Sequence, residues 1–207
     1  MSNVQVTNRY ISLSLILVTI FWFFLFYLKL TNFWLGMSIV TFILFLISIR
    51  KIDLEPVKKQ INIKNIGIGV ASAIMLYLVF VIGNWISGYI PGGNENINSV
   101  YNLKDTGNIQ IISILLIFPI TLGEEFFWRG LIQKNLSNNF GSLKGYLITS
   151  VIYSGVHIWS FNIMLILAAL VAGLWWGYIF KKTNNLVIVL VSHAIWSLSI
   201  FVLFPVS

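Results

Sequence analysis

The chain has 207 residues, of which 58% are hydrophobic and only 9% are charged, and its net charge is +7. A soluble domain carries about 25% charged residues, so this composition excludes one and indicates a helical protein that crosses a membrane several times. The absence of cysteine excludes thiol nucleophiles, thiolate metal ligands and disulfides.

Seven runs of the chain are apolar and long enough to cross a hydrocarbon core of about 30 Å. The first run lacks the small-residue pattern of a cleaved signal peptide, so we expect it to remain attached. The third run is the longest and offers the place for an eighth span. The sequence therefore predicts an all-α, polytopic transmembrane helical bundle of about seven spans. The predicted spans are residues 10–28, 32–49, 66–90, 109–128, 143–159, 161–180 and 186–204.

Positive charges orient the bundle, because Lys and Arg are retained on the cytoplasmic side of a membrane. In the seven-span arrangement every Lys and Arg residue except Lys29 and Lys104 falls on one side. This predicts a multi-pass protein of the cell membrane with a cytoplasmic N-terminus and a C-terminus outside. The basic residues form no continuous stripe, so we attribute them to topology and anionic lipid headgroups, and expect no nucleic-acid partner.

The ionisable residues at membrane depth gather in the C-terminal half of the chain. Glu124, Glu125, His157 and His193 fall within predicted spans, and Arg129 lies near the border of one. Each such group costs at least about 2.5–3.5 kcal/mol on insertion scales, so a function that outweighs this cost is expected there. We predict one membrane domain over residues 1–207, in which residues 1–108 are supporting helices and residues 109–205 carry the site.

Helix geometry gives the two acids different neighbours. Glu125 and Arg129 are four residues apart on one helix face, so the guanidinium can neutralise that carboxylate, whereas Glu124 points about 100° away. Pro119 and Gly123 predict a kink just before the acids. At about 1.5 Å per residue, both histidines and Glu124 lie about 10–20 Å from the cytoplasmic ends of their spans, at similar but unequal depths.

Three motifs in this region carry a resemblance to a known family. Residues 124–129, 153–157 and 193–197 read EEFFWR, YSGVH and HAIWS. In this order they resemble the EExxxR, F/YxxxH and HxxxN/D motifs of the CPBP family, over about residues 109–205. That family comprises CAAX-type intramembrane proteases and bacteriocin-processing or self-immunity proteins, and is also called the Abi family. The sequence departs from it at Ser197, where family members usually carry Asn.

The resemblance implies a glutamate-dependent intramembrane endopeptidase that needs no cofactor and cleaves a membrane-associated peptide or protein. By this resemblance Glu124 is the general base and His157 helps it to hold the attacking water. His193 and Ser197 would stabilise the oxyanion, and the serine hydroxyl is a shorter, single donor in place of the usual amide. Glu125 and Arg129 would order the site, and residues 109–205 would form the catalytic core.

Other interpretations of the same residues remain open. A glutamate and the two histidines could form a three-ligand zinc site of a metallopeptidase, although the usual HExxH helix is absent. A non-enzymatic immunity or scaffold protein would keep its phenotype after Glu124→Gln or His157→Ala. A proton-coupled transporter would be expected to show inverted repeats, which the sequence lacks. Ser192 and Ser197 neighbour His193, but no nucleophile elbow surrounds either serine. The sequence does not indicate an oligomeric state.

Overall fold

Residues 7–206 are described by a computed structural model of the chain, and every regular element among them is a helix. The predicted all-α class is therefore confirmed. Two short 3₁₀ segments, Asn102–Thr106 and Val156–Ser160, follow α5 and α7. The helices are α1 (Asn8–Leu28), α2 (Phe33–Ile49), α3 (Leu54–Lys59), α4 (Ile63–Ser87), α5 (Gly93–Tyr101), α6 (Ile109–Phe140), α7 (Ser142–Gly155), α8 (Ile163–Thr183) and α9 (Leu186–Leu203).

Asparagine residues fix the start of five of these helices. Each one precedes its helix, and its side chain accepts a hydrogen bond from a backbone N–H of the first turn, which otherwise has no partner within the helix. These N-cap residues are Asn32, Asn62, Asn108, Asn162 and Asn185, before α2, α4, α6, α8 and α9.

Five helices of the described chain are long and apolar enough to cross a membrane, namely α1, α4, α6, α8 and α9. The protein is thus a multi-pass membrane protein. The apolar helix α2 has 17 residues, and the predicted span over 143–159 is divided between the 14-residue α7 and the 3₁₀ segment after it. The exact count of seven or eight spans stays a prediction.

The connections between the helices gather at two ends of the bundle. At one end Gln60, after α3, donates from its side-chain nitrogen to the carbonyl of Asn184 at 3.2 Å. At the other end Asn162 donates to the carbonyl of Asn96 at 2.7 Å, which ties the start of α8 to α5. Helix α8 therefore begins at the end of the bundle that holds α5 and ends at the end that holds α3.

The central helix is α6, whose most apolar window is 56% buried, against 28% for α1 and 22% for α4. The predicted kink is present, because Phe118 leaves helical geometry with φ −147° and ψ 119°. Thr121 compensates by donating its hydroxyl to the carbonyl of Leu116 at 2.7 Å. After the acids the helix winds through π-helical turns at Phe126–Gln133, a local geometry that is frequent at functional sites.

A close contact between main chains sets the position of α6 at the acids. A Cβ atom added to Gly123 would collide with the backbone carbonyl of Thr41 in α2. Only a glycine lets the two helices approach this closely. The contact lies one residue before Glu124, so α2 helps to fix the position of the two acids.

Candidate active site

The two acids of α6 are buried, and Glu125 has two partners on the same oxygen. Its Oε1 atom accepts a hydrogen bond from Nη1 of Arg129 at 3.1 Å, four residues later on the helix. The same oxygen lies 2.8 Å from Nδ1 of His193 in α9. Arg129 and Glu125 are almost fully excluded from solvent, at 1% and 0% exposure of their side chains. The intrahelical ion pair that the spacing predicted is therefore present and also holds a histidine.

His193 lies between the two carboxylates. The carboxylate of Glu125 accepts from Nδ1, which assigns the proton to that nitrogen and turns Nε2 towards Glu124. The distance from Nε2 to Oε2 of Glu124 is 3.7 Å. The ring stacks on the indole of Trp176 in α8, with 3.8 Å between the centroids and 20° between the planes. Its orientation is thus fixed by a hydrogen bond at one edge and an aromatic face below.

The Arg129 guanidinium is enclosed by groups of α7 and α8. It lies 5.0 Å from the ring centroid of Tyr153 and 5.6 Å from that of Trp176, within the range of cation–π attraction. Its Nη2 atom also donates to the backbone carbonyl of Gly173 at 3.4 Å. These contacts join three helices around one positive charge, and they give Arg129 a role in packing as well as in neutralising Glu125.

Tyr153 also contacts the ionisable cluster, although the motif that contains it predicted no role for this residue. Its hydroxyl donates a hydrogen bond to Oε2 of Glu124 at 3.2 Å. Within residues 7–206 this is the only hydrogen bond from the protein to that carboxylate. Its backbone carbonyl lies 2.8 Å from Nδ1 of His157. Tyr153 is the first residue of the YSGVH motif, and this position was the signal in the sequence that could have identified its contact with Glu124. The residue therefore links Glu124 to His157.

His157 lies beside the acid pair but does not contact it directly. It belongs to the 3₁₀ segment after α7, where its Nδ1 atom donates to the carbonyl of Tyr153. Its Nε2 atom accepts a hydrogen bond from the indole nitrogen of Trp22 in α1 at 3.3 Å. Both ring nitrogens are thus engaged by protein groups other than the two acids. Trp22 thus contacts a residue of the candidate site, although residues 1–108 were predicted to be supporting helices only.

The serines near His193 differ in their surroundings. Ser197 lies one turn after His193 and is buried, and its hydroxyl has no hydrogen-bond partner in the described chain. Ser192 instead pairs with the hydroxyl of Ser72 in α4 at 2.8 Å and accepts from Nε1 of Trp176 at 3.1 Å. Ser192 therefore positions the indole on which His193 stacks, and its hydrogen bonds do not involve the histidine.

The histidine nitrogens that a zinc site would need have protein partners in this structure. Within residues 7–206 no three side chains of His, Asp or Glu are arranged to hold one. The nitrogens of His157 are engaged by Trp22 and Tyr153, and Nδ1 of His193 by Glu125. A three-ligand zinc site would require these contacts to be broken.

An apolar cavity of about 460 Å³ lies between α4, α5, α8 and α9. No acidic or basic side chain lines it. Trp196 forms part of its wall, and the ring centroid of His193 lies 6.4 Å from that of Trp196. The ionisable cluster itself is enclosed, since the exposure of Glu124, His157 and His193 is 3%, 6% and 4%.

Comparison with known proteins agrees with the motifs. Residues 106–199 match the family model described as type II CAAX prenyl endopeptidase Rce1-like. No curated protein and no solved structure matches the chain. The matched region includes α6, α7, α8 and most of α9, and hence the acids, both histidines and Arg129. The resemblance to the CPBP family of CAAX-type proteases is confirmed over this part of the chain.

Proposed function

We propose that the protein is a membrane-embedded endopeptidase that hydrolyses peptide bonds of membrane-associated peptides or proteins with water activated by Glu124. The match to a CAAX endopeptidase family supports the reaction class. The assignment of Glu124 as the general base rests on the groups that surround its carboxylate. This buried carboxylate is faced by Nε2 of His193 at 3.7 Å and by the hydroxyl of Tyr153 at 3.2 Å. Such an enclosed carboxylate is suited to general base catalysis.

In the proposed reaction Glu124 takes a proton from water while the water oxygen bonds to the carbonyl carbon of the substrate. The resulting tetrahedral intermediate carries a negative oxygen. The C–N bond then breaks, and the proton held by Glu124 passes to the leaving amine. No metal or cofactor takes part in these steps.

His193 is proposed to stabilise the negative oxygen. In its imidazolium form it donates from Nδ1 to Glu125 and has a second donor at Nε2, directed towards Glu124 and the space beside it. Oriented donors of this kind typically contribute a few kcal/mol to the transition state. Arg129 holds Glu125, which in turn holds His193, so the ion pair acts by positioning. Ser197 would supply a further donor from the next turn of α9.

The test is cleavage of a panel of quenched-fluorescent peptides by the detergent-purified protein. We expect Glu124→Gln to lower kcat at least a hundredfold, because general bases typically contribute 10²–10⁴-fold. His157→Ala is expected to lower it as well. Glu55→Gln is the matched control, since Glu55 is an exposed glutamate at the end of the bundle. Wild-type cleavage by Glu124→Gln would contradict the proposal, and loss on chelation restored by zinc would favour the metallopeptidase.

A non-enzymatic immunity or scaffold protein is the second candidate, because the enclosed cluster gives a peptide no direct access. For this candidate a host phenotype should survive both Glu124→Gln and His157→Ala. For the endopeptidase it should be lost with both substitutions.

We further propose seven membrane crossings with a cytoplasmic N-terminus and the C-terminus outside. The distribution of Lys and Arg supports this orientation. Because the chain has no cysteine, a single Glu95→Cys substitution in exposed α5 provides a clean reporter. In intact cells a membrane-impermeant maleimide should label it. Labelling only after membrane disruption would reverse the orientation.

A further inference from the structure

The Nε2 atom of His157 is occupied by a side chain from outside the matched region. Trp22 in α1 is fully buried, and its indole N–H donates to that nitrogen at 3.3 Å. The two rings meet edge to face, with 5.9 Å between their centroids and 81° between their planes. The family match begins at residue 106, so α1 lies outside the matched region.

This hydrogen bond uses the one basic position of the imidazole. Nδ1 of His157 donates to the carbonyl of Tyr153 at 2.8 Å, so Nδ1 carries the proton and Nε2 carries the lone pair. A histidine that helps to hold an attacking water needs that lone pair. The indole N–H and a water molecule therefore compete for the same atom.

The end of α1 forms an aromatic cover over the segment that carries His157. Phe23 meets Trp159 with 5.0 Å between the ring centroids, and Phe26 meets His157 at 5.7 Å. The helix winds into a π-helical turn at Phe23–Leu28, directly after Trp22. Its most apolar window is only 28% buried within the protein, half the value for α6. An outer helix of this kind can shift with less loss of packing than the central one.

We propose that Trp22 is a positioning residue that regulates the site by holding His157 in a resting state. Its indole N–H occupies Nε2, and it has to leave before Nε2 binds the attacking water. The proposal rests on the proposed function, because it assigns His157 to water activation.

The test compares Trp22→Phe with Trp34→Phe. The first substitution removes the competing N–H and keeps an aromatic ring. The control also removes a buried indole donor, which in Trp34 bonds to the carbonyl of Leu103 at 2.8 Å and to neither histidine. We expect Trp22→Phe to raise kcat about threefold to tenfold, the range that corresponds to the loss of one ordinary hydrogen bond. Trp34→Phe should give no rise.

An NMR measurement can report on Nε2 of His157 without a substrate. The chain has two histidines, so ¹⁵N-histidine labelling gives few signals, and His157→Ala assigns them. The Nε2 resonance of His157 should move in Trp22→Phe and stay in place in Trp34→Phe. If Trp22→Phe fails to fold, benzothienylalanine at position 22 keeps the indole shape and lacks the N–H.

The outcomes separate this proposal from the proposed function. An unmoved Nε2 resonance, or a kcat that is unchanged or lower in a folded variant without the N–H, would overturn the role of Trp22. If Glu124→Gln abolishes cleavage in the same assay, the endopeptidase assignment stands even then. If Glu124→Gln cleaves as the wild type does, the proposed function fails, and the regulatory role fails with it.

Discussion

Replacing Arg129 by methionine is expected to lower the free energy of unfolding by about 3–5 kcal/mol, because the buried carboxylate of Glu125 loses its guanidinium partner and keeps only the hydrogen bond with His193. The substitution removes the hydrogen bond of 3.1 Å to Glu125 and the contact of 3.4 Å with the carbonyl of Gly173. It also removes the positive charge between two aromatic rings. The methionine side chain keeps most of the volume, so the loss reports mainly on the charge.

The size of this stability loss depends on the burial of the two charged side chains and not on the distance between them. The ion pair between Lys58 and Glu55 is shorter, at 2.7 Å, but its side chains are 66% and 67% exposed. Exposed pairs contribute about 0–1 kcal/mol, because water already solvates both charges. Lys58→Met is thus the matched control, and we expect it to change the free energy of unfolding by less than about 1 kcal/mol.

The assay is unfolding in mixed micelles, followed by the fluorescence of the tryptophan residues. The double variant Glu125→Gln with Arg129→Met removes both charges and leaves an amide oxygen that can still accept from His193. We expect it to be more stable than the sum of the single substitutions implies, by about 0.5–3 kcal/mol. Additive effects, or an Arg129→Met variant within about 1 kcal/mol of the wild type, would refute the reasoning.

Two further substitutions test single contacts of the site. Tyr153→Phe removes the O–H that donates to Glu124, so kcat should fall about tenfold or more, and the free energy of unfolding should fall by about 1–3 kcal/mol because a buried carboxylate loses a donor. An unchanged kcat would remove Tyr153 from the site. Gly123→Ala places a methyl group against the carbonyl of Thr41, and unfolding measurements should show a loss of at least about 1–3 kcal/mol. Gly67→Ala is its control in α4, where a Cβ atom meets nothing within 4 Å; equal effects of the two would contradict the contact.

Local relationships in α6 could be predicted from the sequence because the helix itself determines them. The four-residue spacing of Glu125 and Arg129 placed them on one face, and the ion pair forms there. Pro119 predicted the kink, which appears at the residue before it. Hydropathy likewise predicted the helical class, since lipid admits few other structures.

Contacts between distant helices could not be predicted in the same way. Trp22 and His157 are 135 residues apart, and no periodic pattern reports such a meeting. Depth along regular helices gave Glu124 and His193 unequal positions, whereas their side chains face each other at 3.7 Å. The break at Phe118 and the π-helical turns at Phe126–Gln133 change the rise and rotation of α6 from those of a regular helix.

The contact of Gly123 with the Thr41 carbonyl has a consequence for transplanting this site. The matched region starts at residue 106, yet the height of its acids is set by a main-chain atom of α2. A chimera that carried only residues 106–199 would need a host helix whose main chain can approach Gly123 as closely as the Thr41 carbonyl does. The smallest transferable unit of this site is therefore larger than the matched segment, and α2 is part of it.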